Sequence, residues 1–100
     1  MIKHIVMWRL KDAANGAAKA ENARRIKEKL EALNGRIPGL LRLEVGIDFS
    51  GTESSGDVAL YSEFASRKAL DDYQEHPEHK AIMAFILEAR SERRVVDYEP

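Results

Sequence analysis

The chain contains no cysteine, only three prolines and six glycines, and a single tryptophan in 100 residues. The missing thiols exclude disulfides, thiolate nucleophiles and sulfur-ligated metal together, and agree with a reducing compartment. No apolar run approaches the roughly 20 residues that span a bilayer. The segment MIKHIVMWRLKD alternates polar with apolar residues and carries Lys3, Arg9, Lys11 and Asp12, unlike the continuous apolar core of a signal peptide. A soluble, cytoplasmic protein is therefore expected. Charge of one sign is missing too: 16 Lys and Arg face 17 Asp and Glu, a formal net charge of −1, so no basic field is available for a phosphate backbone. A chain of this length buries roughly 60 to 70% of its unfolded surface, enough for one core. Residues 1–100 read as a single domain.

What is present is a regular hydrophobic pattern. From Ile2 to Leu10 the period is two, with Ile2, His4, Val6, Trp8 and Leu10 on one face and Lys3, Ile5, Met7 and Arg9 on the other. A helix follows. Asn15-Gly16 reads as its start, Ala23, Ile26, Leu30 and Leu33 recur at helical spacing, and Asn34-Gly35 reads as a left-handed stop. Arg24, Arg25, Lys27, Glu28, Lys29 and Glu31 form its solvated side. After Ile37-Pro38-Gly39, a second strand puts Leu41, Leu43, Val45, Ile47 and Phe49 on one face, and the polar Ser50–Gly56 segment links it to a third, Asp57 to Phe64. Ser66 suits the N-cap of a short helix with Ala69, Leu70 and Tyr73 inward. Pro77 suits the first turn of another helix, running to about Arg90 with Ile82, Met83, Ile86 and Leu87 inward. A last strand spans Arg93 to Tyr98. The order β-α-β-β-α-β predicts an α+β, ferredoxin-like fold: one antiparallel four-stranded sheet with helices on one face.

In that topology the first and third strands are expected to be central, with Ile5, Met7, Ala59, Tyr61 and Val95 on their uncovered side. Such a face is more than a soluble monomer usually leaves bare, so a homodimer through the sheet face is expected. The ferredoxin-like sheet also serves as an RNA platform elsewhere, but the aromatic-rich RNA-binding pattern is missing, so no nucleic-acid partner is expected.

Two of the three histidines and one of the three tyrosines fall within Tyr73-Gln-Glu-His-Pro-Glu-His79. His79 precedes Ile82, Met83 and Ile86 at helical spacing, which turns its imidazole inward. His4 shares a strand face with Val6 and Trp8. If that face meets the helices, His4, Tyr73 and His79 line one pocket. A neutral imidazole there takes a proton from carbon beside a carbonyl, while the Tyr73 phenol donates to the enolate oxygen. Three readings stay open at this point: a core histidine and tyrosine satisfied by hydrogen bonds, binding of a small apolar or aromatic molecule, and cofactor-free catalysis. Metal is a weaker fourth, because Pro77 breaks the turn between His76 and His79 and no His-Glu-x-x-His pattern exists.

The pieces KHIVMWRLK, IPGL, YSEFASRKALDDYQEHPEH and VVDYEP together resemble the stress-responsive A/B barrel (Dabb) family of dimeric α+β barrels. The resemblance implies that two four-stranded sheets pack face to face into a barrel with the helices outside. It also implies, by likeness to the family's plant cyclases that close a linear polyketide thioester without a cofactor, that Tyr73 and His79 are catalytic and His4 supports them. Val58 stands where those enzymes carry a further histidine, and with His4 and Trp8 it completes the expected binding residues. No cofactor and no metal are expected.

Overall fold

A computed structural model describes residues 1–100. The alternation in β1 (Ile2–Leu10) appears in it residue by residue: Ile2, His4, Val6, Trp8 and Leu10 are buried, and Lys3, Ile5, Met7 and Arg9 lie half-covered or exposed. The chain then forms two short strands, β2 (Ala13–Ala14) and β3 (Ala17–Ala18), before α1 (Lys19–Glu31). Asn15-Gly16, expected to start the helix, is instead the turn of this small hairpin. Its φ angles of 53° and 71° are those of a type I′ connection, which needs two left-handed residues. The buried Asn22 amide donates to the Ala14 carbonyl at 2.8 Å and to that of Ala17 at 3.3 Å, and so ties the hairpin to α1.

α1 buries Ala23, Ile26 and Leu30, and Leu33 and Ile37 follow into the core after it ends. Part of its polar side has a structural task. Lys27 Nζ donates to the Val45 carbonyl at 2.6 Å, and the Val45 N–H donates to Glu31 Oε2 at 3.0 Å. These two side chains, with Asn34 on the Leu43 carbonyl at 2.8 Å, occupy the outer edge of β4 (Leu40–Ile47). Unpaired backbone groups along such an edge would otherwise template another strand. Lys27 and the Val45 N–H hold the Glu31 carboxyl below its ordinary pKa.

β4 does not present the single alternating face expected of it. The pairing shifts between Leu40 and Arg42, a bulge that extrudes Leu41, and one extra residue reverses the parity on its far side. Beyond it Leu43, Val45 and Ile47 keep one face, opposite Ser62, Leu60 and Val58. Leu43 and Val45 are buried there, Leu41 is exposed at the bulge, and Ile47 and Phe49, at and past the strand end, are exposed, Phe49 at 98%. The turn before β4 depends on Gly39. Its φ is 81°, and a Cβ there would sit 2.5 Å from that of Ala69.

β5 (Val58–Phe64), α2 (Arg67–Glu75), α3 (Pro77–Ala89) and β6 (Arg90–Tyr98) complete the chain. β6 starts directly after α3, earlier than the expected Arg93. The sheet order is β4-β5-β1-β6, antiparallel throughout, so the fold is α+β and ferredoxin-like with α2 and α3 together as its second helical unit. One chain leaves the sheet open, and no barrel closes within it. Trp8, Ile26, Leu30, Phe64 and Ile86 are fully buried in the core, where each such side chain contributes roughly 1.5–3 kcal/mol. Leu87, expected inward, is exposed because it lies about 100° further round the helix than Ile86. No helix is long and apolar enough to cross a membrane.

Strand pairing decides what the uncovered sheet face carries. Ile5 lies opposite Tyr61 and Val96, and Met7 opposite Ala59 and Arg94. Val95 is opposite Val6 and therefore on the helix side, so Val96, with Tyr98, takes the place expected of Val95. Met7, Val96 and Tyr98 are exposed in the single chain, and Ile5 and Tyr61 are half-buried.

Candidate functional site

The break between α2 and α3 arranges the histidine and tyrosine cluster. The Ser66 hydroxyl accepts from the Ala69 N–H at 3.1 Å and starts α2, which turns Leu70 and Tyr73 into the core. His76 ends α2 and caps α3: its Nδ1 accepts from the Glu78 N–H at 3.1 Å, with Pro77 at the first helical position. His76 is thereby used as a cap. One turn later, His79 Nδ1 lies 3.2 Å from the Gln74 carbonyl. A carbonyl only accepts, so the ring proton sits on Nδ1 and Nε2 is the basic nitrogen.

His4 enters from the sheet. It is buried, its Nδ1 is hydrogen-bonded to Asp97 Oδ1, and Asp97 is its pairing partner across β1 and β6. A carboxylate in this position fixes ring orientation and tautomer, leaving Nε2 of His4 without a protein hydrogen bond. The Ser62 hydroxyl donates to the His4 carbonyl at 2.8 Å and secures the strand beneath it.

Tyr73 lies among these groups. Its ring centroid is 4.4 Å from that of His79, 4.9 Å from Phe64 and 6.4 Å from His4. The ring is fully buried and the hydroxyl has no hydrogen-bond partner. Burial raises its pKa far above the ordinary value. It lowers that of half-buried His79, an effect opposed by the Gln74 carbonyl and reinforced by the neighbouring His4, Arg93 and His76 side chains.

A cavity of about 350 Å³ opens against this cluster. His4, Trp8, Gln74, His79, Met83, Ile86 and Arg90 line it, with the more exposed Leu87 and Arg93. Of the residues singled out from sequence, His4, Trp8 and His79 thus share one space, and Tyr73 packs directly behind His79. Val58 stands apart. It is buried opposite Trp8 on the helix side of the sheet and does not line this cavity; its end of β5 borders a separate groove with Met7, Ile47 and Phe49. Three residues escaped the sequence reading: Asp97, Arg90 and Arg93. Antiparallel pairing of the first and last strands was the available signal for Asp97. No group of three or more His, Asp or Glu side chains gathers in metal-ligating geometry.

The arrangement defines an α+β ferredoxin-like chain with a histidine-lined pocket between sheet and helices. The chain belongs to the stress-responsive A/B barrel (Dabb) domain family, whose sequence model matches residues 2–100. Among solved structures, a dimeric ferredoxin-like protein of unknown function from Bacteroides fragilis is 35% identical, with a TM-score of 0.88 over 99% of this chain and 95% of that one. A Dabb family protein from Mesorhizobium loti is 23% identical, with a TM-score of 0.77 over 99% of this chain and 95% of that one. A hydroxynitrile lyase from Passiflora edulis shares the fold at 18% identity and a TM-score of 0.80, covering 97% of this chain and 90% of that one. No curated protein matches the chain in sequence.

Proposed function

We propose that the chain works as a homodimer, paired through the sheet face of Ile5, Met7 and Tyr61, in which each subunit holds a small organic molecule in the cavity beside His79. Exposed Met7, Val96 and Tyr98 on one sheet face and the dimeric state of the Bacteroides fragilis relative support the pairing. In the catalytic form of this reading no cofactor takes part. His79 Nε2 removes a proton from carbon next to a carbonyl, the Tyr73 hydroxyl donates to the enolate oxygen, and His4, oriented by Asp97, supplies a second polar contact. The observation that carries the reading is the convergence of His4 and His79 on one cavity with an unpartnered buried phenol alongside.

A second reading, a structural or stress-protective dimer without substrate, is favoured by one feature: Tyr73 is fully buried and packs as a plug between Phe64 and His79. Titration of aromatic and polyketide-like compounds into wild type, His79→Ala and Tyr73→Phe separates the two, with melting followed in parallel. Loss of a general base lowers turnover by ~10²–10⁴-fold, so His79→Ala should nearly abolish activity and Tyr73→Phe reduce it less. Variants that alter melting alone would leave the structural dimer.

A further inference from the structure

The arginines of this chain are mostly committed. Arg24, Arg25, Arg36, Arg42 and Arg67 pair with glutamates, and Arg9 donates to the carbonyls of Ser55 and Glu53. Arg90 and Arg93 have no carboxylate within ion-pair distance and donate no side-chain hydrogen bond. Both line the cavity that holds His4 and His79. Strand parity explains the position of Arg93, which pairs with Trp8 and so shares its face of the sheet, the same face on which His4 and Asp97 pair. No acidic residue lines the cavity, and the nearby Asp97 is engaged by His4. The remaining walls are mainly apolar, from Trp8, Met83, Ile86 and Leu87. This space therefore has an apolar body and a cationic end.

We infer that the molecule bound in this cavity is an organic acid, its carboxylate held by Arg93 and Arg90 and its apolar body packed on Trp8, Met83 and Ile86. The inference rests on the binding reading above and narrows it to one ligand class. Guanidinium groups match a carboxylate with paired N–H donors, and they remain charged at every physiological pH. A cavity of about 350 Å³ lies within the ordinary range for small-molecule sites. An anion placed beside Arg93 also offsets one of the charges that depress the His79 pKa, so binding of an acid should move the His79 titration upward.

The test is a calorimetric titration of octanoate against octanamide, which share a chain and differ in charge, into wild type, Arg93→Gln, the Arg90→Gln/Arg93→Gln pair and Arg24→Gln, whose position is on the outer side of α1. Charge-assisted hydrogen bonds predict octanoate binding about 10- to 100-fold tighter than octanamide. That preference should fall by a similar factor in the Arg93 variants and persist in Arg24→Gln, and the His79 proton resonances should titrate at higher pH with octanoate but not octanamide. Equal binding of acid and amide to wild type, or a preference that survives the double substitution, overturns the organic-acid inference and leaves the binding reading intact. If neither compound binds to wild type while near-UV circular dichroism shows all variants folded, both fall together.

Discussion

Tyr73→Phe is the substitution with the most unusual expected outcome, a rise in stability from deleting a buried polar atom. The Tyr73 hydroxyl is enclosed and meets no donor or acceptor, and a buried polar group in that state is destabilising by ~1–3 kcal/mol. Phenylalanine retains the ring and with it the contacts to Phe64 and His79 at centroid distances of 4.9 and 4.4 Å. A gain of about 1 kcal/mol raises Tm by ~4–8 °C in a domain of 60–100 residues. The assay is paired thermal and urea unfolding by circular dichroism at one fixed protein concentration, because association shifts apparent stability.

Alkaline titration adds an independent check. Burial raises the Tyr73 pKa above its ordinary 10.0, so as pH climbs past that value the unfolded chain ionises while the folded chain resists. The unfolded state then binds fewer protons, and stability falls as pH rises. The phenylalanine variant should lose less over the same range. A Tyr73→Phe protein that melts below wild type would refute the reasoning, since the hydroxyl must then have a favourable partner in the folded molecule. Under the catalytic reading, the same change raises stability while lowering turnover, opposite signs that a tyrosine with only a packing role would not produce.

Met7→Glu puts a carboxylate into the middle of the bare sheet face at a cost of several kcal/mol to pairing unless it is neutralised, so sedimentation velocity should show the variant as a monomer at micromolar concentration where wild type is a dimer; a monomeric wild type there would overturn the pairing. His79, with its pKa lowered below the ordinary 6.5, contributes full stability above that pH and loses it as pH falls through the lower folded value, because the unfolded chain binds the proton first. Melting followed from about pH 7 to about pH 5 should therefore be flatter for His79→Gln than for wild type. Gly39→Ala should destabilise clearly more than Gly35→Ala in urea unfolding: both glycines have left-handed φ, 81° and 77°, but only the Gly39 site meets a neighbour, Ala69 Cβ at 2.5 Å. Left-handed backbone alone costs ~1–2 kcal/mol. Equal losses at the two sites would mean that the β4 turn relaxes freely.

The period-two pattern of Ile2–Leu10 was enough to place His4 and Trp8 on the helix side of the sheet, and helical spacing around Pro77 was enough to turn Tyr73 and His79 toward it. Local pattern sufficed because each of these side chains is directed by its own element. It failed where a distant contact decides the outcome. Asn15-Gly16 suits a helix start and a hairpin turn equally, and the buried Asn22 amide, bonded to both hairpin strands, selects the second. The Leu41 bulge leaves no mark in the hydrophobic alternation. β6 is exposed on both faces in the single chain, so RSERRVVDY offered no pattern to distinguish Val95 from Val96. Register alone sets that parity, and with it the His4–Asp97 pair and the entry of Arg93 into the pocket. The site was thus half legible: its helix and β1 residues were, its β6 residues were not.

The placement of β1 also has a consequence for the order in which this molecule can assemble. β1 lies inside the sheet between β5 and β6, with Lys3 paired to Glu63 on one side and to Tyr98 on the other. During synthesis β1 therefore has no partner until residues 58–64 emerge, and its second edge stays open until residues 90–98 do. Pairings of such long sequence separation must overcome loop-closure entropy before they return any stability, which slows folding and lengthens the time that a hydrophobic strand is unpaired. Truncation within β6 would accordingly do more than shorten an edge. It would leave the central strand of the sheet with one side unprotected, where another chain can add.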